Sequence, residues 1–251
     1  MTLSDPTHRT AVILLSRGGN GPAAAEELQT LQERMRALLP DCRVTGAYVD
    51  RAEPSLPQAL DACGPVGRIV VQPVFVPGDH ALERWLRKVA LRWRHRQPRP
   101  EATPEIVFAP ALGGLAGLAD LLAQALHTAA GLPDVAKTAS ARWQHDPVAW
   151  SDVPVHERHV LVCMGPRCTA LGAGALWHRL VRRRQDDSAL RKHAMVLQTG
   201  CQYPCNHGPL MIVYPDGLWY GRLDAAALDR ILDEHLPAGT VDEAHLVHRT
   251  G

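Results

Sequence analysis

The first half of the chain alternates short apolar runs with longer stretches in which apolar residues recur at helical spacing. Four apolar runs predict β-strands, at residues 11–15, 43–49, 68–76 and 105–109. The stretches between and after them predict helices, at 22–40, 81–96 and 115–130. Strands that alternate with helices are typical of βαβ units built on a parallel sheet. We therefore expect residues 8–130 to form one α/β domain.

Periodicity is lost over residues 131–157, where prolines are scattered among polar residues as in a linker. It returns at residues 158–238, which hold strands in "RHVLVC", "HAMVLQTGC" and "LMIVYPDGLWYGRL" and a helix in "ALGAGALWHRLVRRRQ". A closing helix should follow Asp224, because aspartate is favoured at the N-cap. The sequence thus predicts a second α/β domain over residues 158–238, followed by a polar tail at 239–251.

Composition narrows the class of protein without naming a function. The 251 residues are 46% hydrophobic and carry a net charge of +1, so no overall field favours nucleic acid or a membrane surface. The first ten residues are polar, unlike a signal peptide, and no apolar run approaches the ~20 residues of a membrane span. We expect a cytoplasmic protein, in which thiols stay reduced and a structural disulfide is disfavoured.

Four of the six cysteines lie in the second predicted domain as two spaced pairs. Cys163 and Cys168 have four residues between them, and Cys201 and Cys205 have three. Each pair follows an apolar strand, so both should occupy loops at the same sheet edge. Paired zinc ligands more commonly have two residues between them, whereas the wider gaps suit two iron atoms, each held by one cysteine pair. Four unconnected buried thiols are the other interpretation.

Two motifs around these cysteines resemble a known family. "VCMGPRCTALGAG" and "TGCQYPCNHGPLMIVYPDGLWYG" are similar to the thioredoxin-like 2Fe–2S ferredoxins, over residues 159–238. The resemblance implies a thioredoxin-like ferredoxin domain and a 2Fe–2S cluster. By the same resemblance, the cluster ligands are Cys163, Cys168, Cys201 and Cys205. The remaining cysteines, Cys42 and Cys63, have no partner at metal-ligand spacing and are interpreted as core or surface thiols.

The first domain contains a histidine at a position where α/β proteins bind ligands. His80 follows the third predicted strand, at the start of the 81–96 helix, and ligands of open α/β sheets bind beyond the carboxyl ends of the strands. The helix that follows carries a basic face, which includes Arg84. A glycine-rich turn with Arg17 follows the first strand.

Residues 11–118 resemble the short CbiX/SirB-type sirohydrochlorin chelatases. The matching segments are "AVILLSRGGNGP", "YVDRAEPSLPQAL", "RIVVQPVFVPGDH" and "APALGGLAGL". The resemblance implies a class II chelatase fold and insertion of Co²⁺ or Fe²⁺ into sirohydrochlorin. The family has one histidine after the first strand, where this chain has Arg17, and a second at the position of His80. Arginine cannot ligate a metal or accept a proton. We expect Arg17, with Arg84, to bind substrate carboxylates; a surface arginine at a turn is the other interpretation of Arg17.

Two hypotheses follow for the whole chain. In the first, it is a cobalto- or ferrochelatase of tetrapyrrole biosynthesis that carries a 2Fe–2S cluster, with His80 as catalytic residue and metal ligand and with Asp79 or Glu53 assisting. In the second, it is a 2Fe–2S electron-transfer protein whose degenerate chelatase domain binds a tetrapyrrole or a partner. The cluster could sense redox state or deliver an electron to the metal or the macrocycle, and a redox partner protein is a possible further partner. The family resemblance also implies a homodimer, because the short chelatases combine two such domains per cleft.

Overall fold

The apolar runs of the first half form a parallel four-stranded sheet, ordered 2-1-3-4. Its strands are β1 (Thr10–Ser16), β2 (Cys42–Tyr48), β3 (Arg68–Pro73) and β4 (Glu105–Phe108). The helices of this domain are α1 (Pro22–Leu38), α2 (Leu56–Ala62), α3 (His80–His95) and α4 (Leu118–Ala129). This computed structural model describes residues 10–19, 21–142 and 144–250, so the predicted domain start at residue 8 lies outside the described residues.

Residues 11–15 of β1 are apolar without interruption because helices cover both faces of the sheet. Ala11, Ile13 and Leu15 point into the core that contains α2 and α3, whereas Val12 and Leu14 point into the smaller core under α1. The apolar stripe predicted for residues 81–96 faces the larger core. The buried side chains of α3 are Leu82, Leu86, Val89, Ala90 and Trp93.

Residues 131–157 lie between the two sheets and are almost entirely exposed. Their described residues, 131–142 and 144–157, include a short helix, α5 (Val135–Thr138), and a 3₁₀ turn (Val148–Trp150). Elsewhere in the described chain, too, no helix is long and apolar enough to cross a membrane.

The second sheet is mixed and five-stranded, ordered 6-5-7-8-9. Its strands are β5 (Arg158–Cys163), β6 (Ala194–Thr199), β7 (Met211–Tyr214), β8 (Leu218–Tyr220) and β9 (Leu246–Arg249). Only β5 and β6 are parallel; the other neighbouring pairs are antiparallel. This sheet has its own hydrophobic core, in which Leu180, Tyr220 and Ile231 are fully buried.

The helices of the second domain are α6 (Pro166–Ala170), α7 (Ala173–Asp186), α8 (Ser188–His193), α9 (Ala225–Arg230) and α10 (Leu236–Ala238). The sequence predicts a helix over residues 170–185, which the structure shows as α7, and a turn where the structure has the separate short helix α6. The two helices divide at Gly172, whose φ of 96° is in the left-handed region that favours glycine. Helix α9 begins as predicted, because the Asp224 side chain accepts a hydrogen bond from the backbone N–H of Ala227 at 2.8 Å.

The segment expected to be a polar tail differs in the structure. Strand β9 pairs with β8, and Val241 and Leu246 pack against the hydrophobic core. The C-terminal sheet therefore continues to residue 249, beyond the boundary at 238 that the sequence suggests. The sequence pattern does not indicate this short edge strand, because charged residues and histidines interrupt the apolar positions between residues 242 and 249.

Candidate functional site

Both cysteine pairs lie at one edge of the second sheet, beyond the carboxyl ends of its two parallel strands. Cys163 is the last residue of β5 and pairs in register with Thr199, the last residue of β6. Cys201 follows two residues later, after Gly200. The sequence analysis placed all four cysteines in loops. In the structure, Cys168 lies in the short helix α6 and Cys205 begins a 3₁₀ turn.

These loops approach each other too closely for larger residues at two glycines. A Cβ at Gly165 would lie 2.9 Å from the Cα of Cys201, so only glycine lets the two loops meet there. A Cβ at Gly208 would lie 3.0 Å from the Sγ of Cys168. The Sγ atoms of Cys201 and Cys205 are 3.2 Å apart. The chain thus brings together the four cysteines that the sequence singles out, which we call the four-thiol group.

All members of the four-thiol group are free thiols; Cys163, Cys168 and Cys205 are buried and Cys201 is exposed. The pKa of Cys163 falls to about 6, chiefly because the Cys168 thiol donates a hydrogen bond to it. That same interaction raises the pKa of Cys168. Cys201 is exposed as a whole residue, but partial desolvation by the surrounding loop raises the pKa of its thiol. The contact with Cys168 therefore favours the thiolate form of Cys163, which is the form that binds soft metals.

The thiols are arranged as two pairs rather than as a single tight cage. Within residues 10–19, 21–142 and 144–250, no three His, Cys, Asp or Glu side chains are placed to hold one metal ion. Two adjacent pairs of soft sulfur donors suit a centre with two iron atoms, each bound by one pair. The close glycines add to this fit, because they leave the loops no room for a side chain between the pairs.

A second candidate site lies at the carboxyl edge of the first sheet. The turn after β1 and the loop from β3 to α3 enclose an open cavity of about 600 Å³. Arg17, Phe75 and His80 line it, together with residues 76–79 and Ala81. Such edges are the usual ligand sites of open α/β sheets.

His80 is the first residue of α3, and 94% of its side chain is exposed. Its Nδ1 atom is 3.8 Å from a carboxylate oxygen of Glu83, one turn further along the helix. Asp79 is the N-cap and accepts hydrogen bonds from the backbone N–H groups of Ala81 and Leu82, both at 2.9 Å. The bond from Leu82 is the main reason that the pKa of Asp79 is lowered. Asp79 therefore caps the N-terminus of α3, and Glu83 is the carboxylate beside the His80 imidazole.

Arg17 lines the cavity, but an internal partner already engages its guanidinium. Its Nη1 atom donates to the Asp50 carboxylate at 2.6 Å, and the guanidinium carbon lies 5.5 Å from the centre of the Phe75 ring. The side chain is still 44% exposed. Arg84 is exposed one turn beyond His80. Since residues four apart share a helix face, Arg84 and His80 project from the same side of α3.

Glu53 lies elsewhere, at the contact between the two domains. Its carboxylate is 3.3 Å from Nδ1 of His178 on α7 and accepts a hydrogen bond from Gln58 at 3.0 Å. A Cβ at Gly174 would lie 2.6 Å from the Glu53 side chain. The structure thus assigns Glu53 to the domain contact, and it does not assist His80 as the sequence analysis suggested.

The comparisons with known proteins identify both halves of the chain. The CbiX family model matches residues 11–129. A protein described as "Ferredoxin, 2Fe-2S" from Aquifex aeolicus is 32% identical over 90 residues, which cover 33% of this chain and 81% of the relative. The chain belongs to the 2Fe–2S ferredoxins. It carries this ferredoxin domain behind an N-terminal CbiX chelatase-family domain.

Two solved structures are similar to one domain each. A thioredoxin-like [2Fe–2S] ferredoxin from Aquifex aeolicus is 28% identical and covers 39% of this chain and 96% of its own, with a TM-score of 0.37. A putative cobalamin biosynthesis CbiX protein from Marinobacter aquaeolei VT8 is 21% identical and covers 47% and 95%, with a TM-score of 0.40. The family assignment rests on the ferredoxin relative's sequence identity, not on these superpositions. The predicted α/β class is confirmed, with a parallel sheet in the CbiX domain and a mixed sheet in the thioredoxin-like ferredoxin domain.

The structure also shows residues beside the candidate sites that the sequence analysis passed over. Glu83 was not singled out, although its spacing of three from His80 predicts a shared helix face. Asp50 and Phe75 contact Arg17 from two other segments, and no local pattern indicates either contact. On the ferredoxin domain, Arg167 is the residue before Cys168 and faces the CbiX domain across a cavity.

Proposed function

We propose that the chain inserts Co²⁺ or Fe²⁺ into a sirohydrochlorin-type tetrapyrrole at the His80 cavity and carries a 2Fe–2S cluster in its ferredoxin domain. One observation carries the chelatase part. The CbiX match spans the whole first sheet, and His80 is exposed to a cavity at the carboxyl edge of that sheet. An exposed imidazole at this position can reach a substrate that is too large to be enclosed.

The reaction requires a proton acceptor more than it requires an enclosed site. When the divalent metal enters the macrocycle, two pyrrole N–H bonds break, and the two protons pass to the imidazole or to water as the metal–nitrogen bonds form. A neutral His80 imidazole accepts a proton or holds the incoming ion. The Glu83 carboxylate stabilises the resulting imidazolium at 3.8 Å. Arg84, on the same helix face, binds a peripheral carboxylate of the substrate.

Arg17 has a different part from that of the histidine it replaces. Its guanidinium forms an ion pair with Asp50 and lies over the Phe75 ring, so the side chain forms one wall of the cavity. With 44% of the side chain exposed, the outward N–H groups can still bind a substrate carboxylate. We therefore keep Arg17 as a substrate-binding residue, whereas His80 alone carries the proton and metal chemistry.

The cluster proposal rests on the four-thiol group and on the name of the ferredoxin relative. Cys163 and Cys168 would hold one iron atom, and Cys201 and Cys205 the other. When bound, a 2Fe–2S cluster supplies one-electron transfer. The chain contributes glycines at positions 165 and 208 that let the loops meet, and burial that shields three of the thiols from solvent.

Anaerobic metal insertion into sirohydrochlorin tests the chelatase proposal, with Co²⁺ and Fe²⁺ offered separately. We expect insertion above the spontaneous rate in the native protein and a loss of about 10²-fold or more of that excess in His80→Ala, the scale of a general base. His127→Ala is the matched control, since His127 is an exposed histidine on α4 of the same domain. Equal rates in both variants would remove His80 from the mechanism.

Iron and sulfide analysis of anaerobically purified protein tests the cluster. Each Cys→Ser change in the four-thiol group should lower the iron content and abolish or alter the electron paramagnetic resonance signal of the reduced cluster. Cys42→Ser is the control, because Cys42 is a half-buried thiol on β2 of the CbiX domain. Full iron content in every variant of the four-thiol group would contradict the assignment.

One observation favours the second hypothesis, a 2Fe–2S electron-transfer protein with a degenerate CbiX domain. Arg17 cannot accept a proton, and its pairing with Asp50 makes the first turn a structural contact. In that case the protein would contain the cluster, bind a tetrapyrrole or a redox partner protein, and show no insertion above background with either metal. The two assays above therefore separate the hypotheses.

The homodimer stays a prediction, and α4 is the surface that a second copy would cover. No residue of α4 is buried, and Leu121, Leu122 and Leu126 are 62%, 58% and 73% exposed. Because apolar side chains at this spacing form one helix face, burying them is a driving force for association. Sedimentation of the native chain against Leu122→Asp measures it: a dimer that becomes monomeric in the variant is expected.

A further inference from the structure

A cavity of about 660 Å³ lies between the two domains, separate from the His80 cavity. Helix α3 of the CbiX domain forms one wall, and the segments around Cys168 and Cys205 form the other. We call it the interdomain groove. It is lined by Cys205, a proposed cluster ligand, and by residues in the C-terminal half of α3. At 1.5 Å per residue, Arg92 is about 18 Å along the helix from His80.

The charged residues of the interdomain groove are all basic. Lys88, Arg92, His95 and Arg96 project from α3, and Arg167 projects from the ferredoxin domain. The spacing of the α3 residues places them on one face of the helix. Within the part of the chain that the structure describes, no carboxylate lies within 4.0 Å of the charged nitrogens of Lys88, Arg92, Arg96 and Arg167 or of the His95 ring, whereas the ion pairs elsewhere in the chain are made within that distance. The groove therefore has a positive field with no internal counter-charge.

Between these charges the walls are apolar. Trp85 and Val89 contribute from α3, and Leu171, which is 52% exposed, contributes from the ferredoxin domain. Small-molecule sites combine such apolar walls with a few convergent polar groups, and they have volumes of roughly 300–1,000 Å³. A concave cavity of this kind suits a small molecule better than the broad, flat face of an acidic protein.

We propose that the interdomain groove binds a planar organic polyanion, an aromatic ring system bearing several carboxylates, and holds it against the Cys205 side of the cluster. The ring system packs on Trp85 and Leu171, and the carboxylates pair with the basic residues of both domains. The proposal rests on the proposed function only for the cluster. Because the groove and the His80 cavity are distinct, either site can fail without the other.

Uroporphyrin, a planar macrocycle with carboxylate side chains, is the probe, and it is titrated anaerobically against the full-length, cluster-containing chain by fluorescence. Arg92→Glu/Arg96→Glu reverses two charges of the groove and should weaken binding about tenfold or more. Arg34→Glu is the matched control, an exposed arginine on α1, and should bind as the native protein does. A porphyrin with cationic substituents should not compete. Bound uroporphyrin should also shift the electron paramagnetic resonance signal of the reduced cluster.

Each outcome decides the proposal. Weaker binding in the double variant with metal insertion unchanged supports a separate groove. The proposal is overturned by no uroporphyrin binding, by equal affinity in the double variant and the control, or by binding that only His80→Ala abolishes. In the last case the probe occupies the chelatase cavity. Loss of metal insertion in His80→Ala while groove binding persists would leave both proposals standing independently.

Discussion

Gly165→Ala tests whether the cysteine loops are held together by close backbone approach. The added methyl carbon would lie 2.9 Å from the Cα of Cys201 and 3.1 Å from its backbone nitrogen. Ordinary contact begins near 3.4 Å, so one loop must move by about 0.5 Å. Both obstructing atoms belong to the backbone, which cannot rotate away as a side chain would. Overpacking of this kind costs about 1–3 kcal/mol of unfolding free energy.

The assay combines urea unfolding with iron retention under a chelator, both on anaerobic protein. Gly165→Ala should lower the free energy of unfolding by about 1–3 kcal/mol and lose iron faster, since the Cys201 side shifts relative to Cys163. Gly200→Ala is the matched control in the same loop: its Cβ would have no atom within 4 Å, so a change within about 0.5 kcal/mol is expected. If both variants retained native stability and native iron release, the close approach at Gly165 would contribute neither to stability nor to iron retention.

Two further predictions concern the ferredoxin domain. Burial lowers the pKa of His235, whose Nδ1 atom is 3.0 Å from the hydroxyl of Tyr220. In the unfolded chain this histidine binds a proton near pH 6.5, whereas in the folded chain it does so only at lower pH. The free energy of unfolding should therefore be highest above about pH 6.5 and decline as the pH falls below it. Urea unfolding from about pH 8 to about pH 5 measures this, and His235→Gln should flatten that part of the profile; the same slope in both would exclude His235. Leu246→Ala should lower the free energy of unfolding by about 1–2 kcal/mol, which is less than the loss of about 2–5 kcal/mol for a fully buried leucine. His248 is exposed on the same strand, so His248→Ala should change the free energy of unfolding by less than about 0.5 kcal/mol. Equal unfolding midpoints for these last two variants would mean that β9 adds no stability.

The sequence predicts the sheet elements well because each strand has a local signature. An uninterrupted apolar run is what a strand buried on both faces requires, and β1 shows it, with Ala11 and Ile13 facing one core and Val12 the other. The juxtaposition of the cysteine pairs also follows from local information. Adjacent parallel strands end at one edge, so Cys163 and Cys201 must come near each other once β5 and β6 pair.

Contacts that depend on tertiary structure could not be predicted in this way. The partner of Arg17 is 33 residues away, and nothing in the turn itself indicates Asp50. The role suggested for Glu53 was wrong. Glu53 lies in the loop after the second strand, and the sequence does not show whether its side chain points toward His80 or toward the other domain. Strand β9 was missed because four residues on an edge show only a weak alternation, and their stability comes from the neighbouring strand.

The short loop after β2 connects the two candidate sites physically. Asp50 pairs with Arg17 in the wall of the His80 cavity, and the next residue, Arg51, donates its backbone N–H to the carbonyl of Met164 at 3.3 Å. Met164 follows Cys163 directly, so Asp50 and Arg51 contact, respectively, a wall residue of the His80 cavity and the residue next to a cysteine of the four-thiol group. A Cβ at Gly18 would lie 2.1 Å from the carbonyl oxygen of Asp50, so the turn after β1 is packed tightly against this loop. A continuous series of contacts therefore joins the cysteine loop to Arg17 without passing through the linker at residues 131–157.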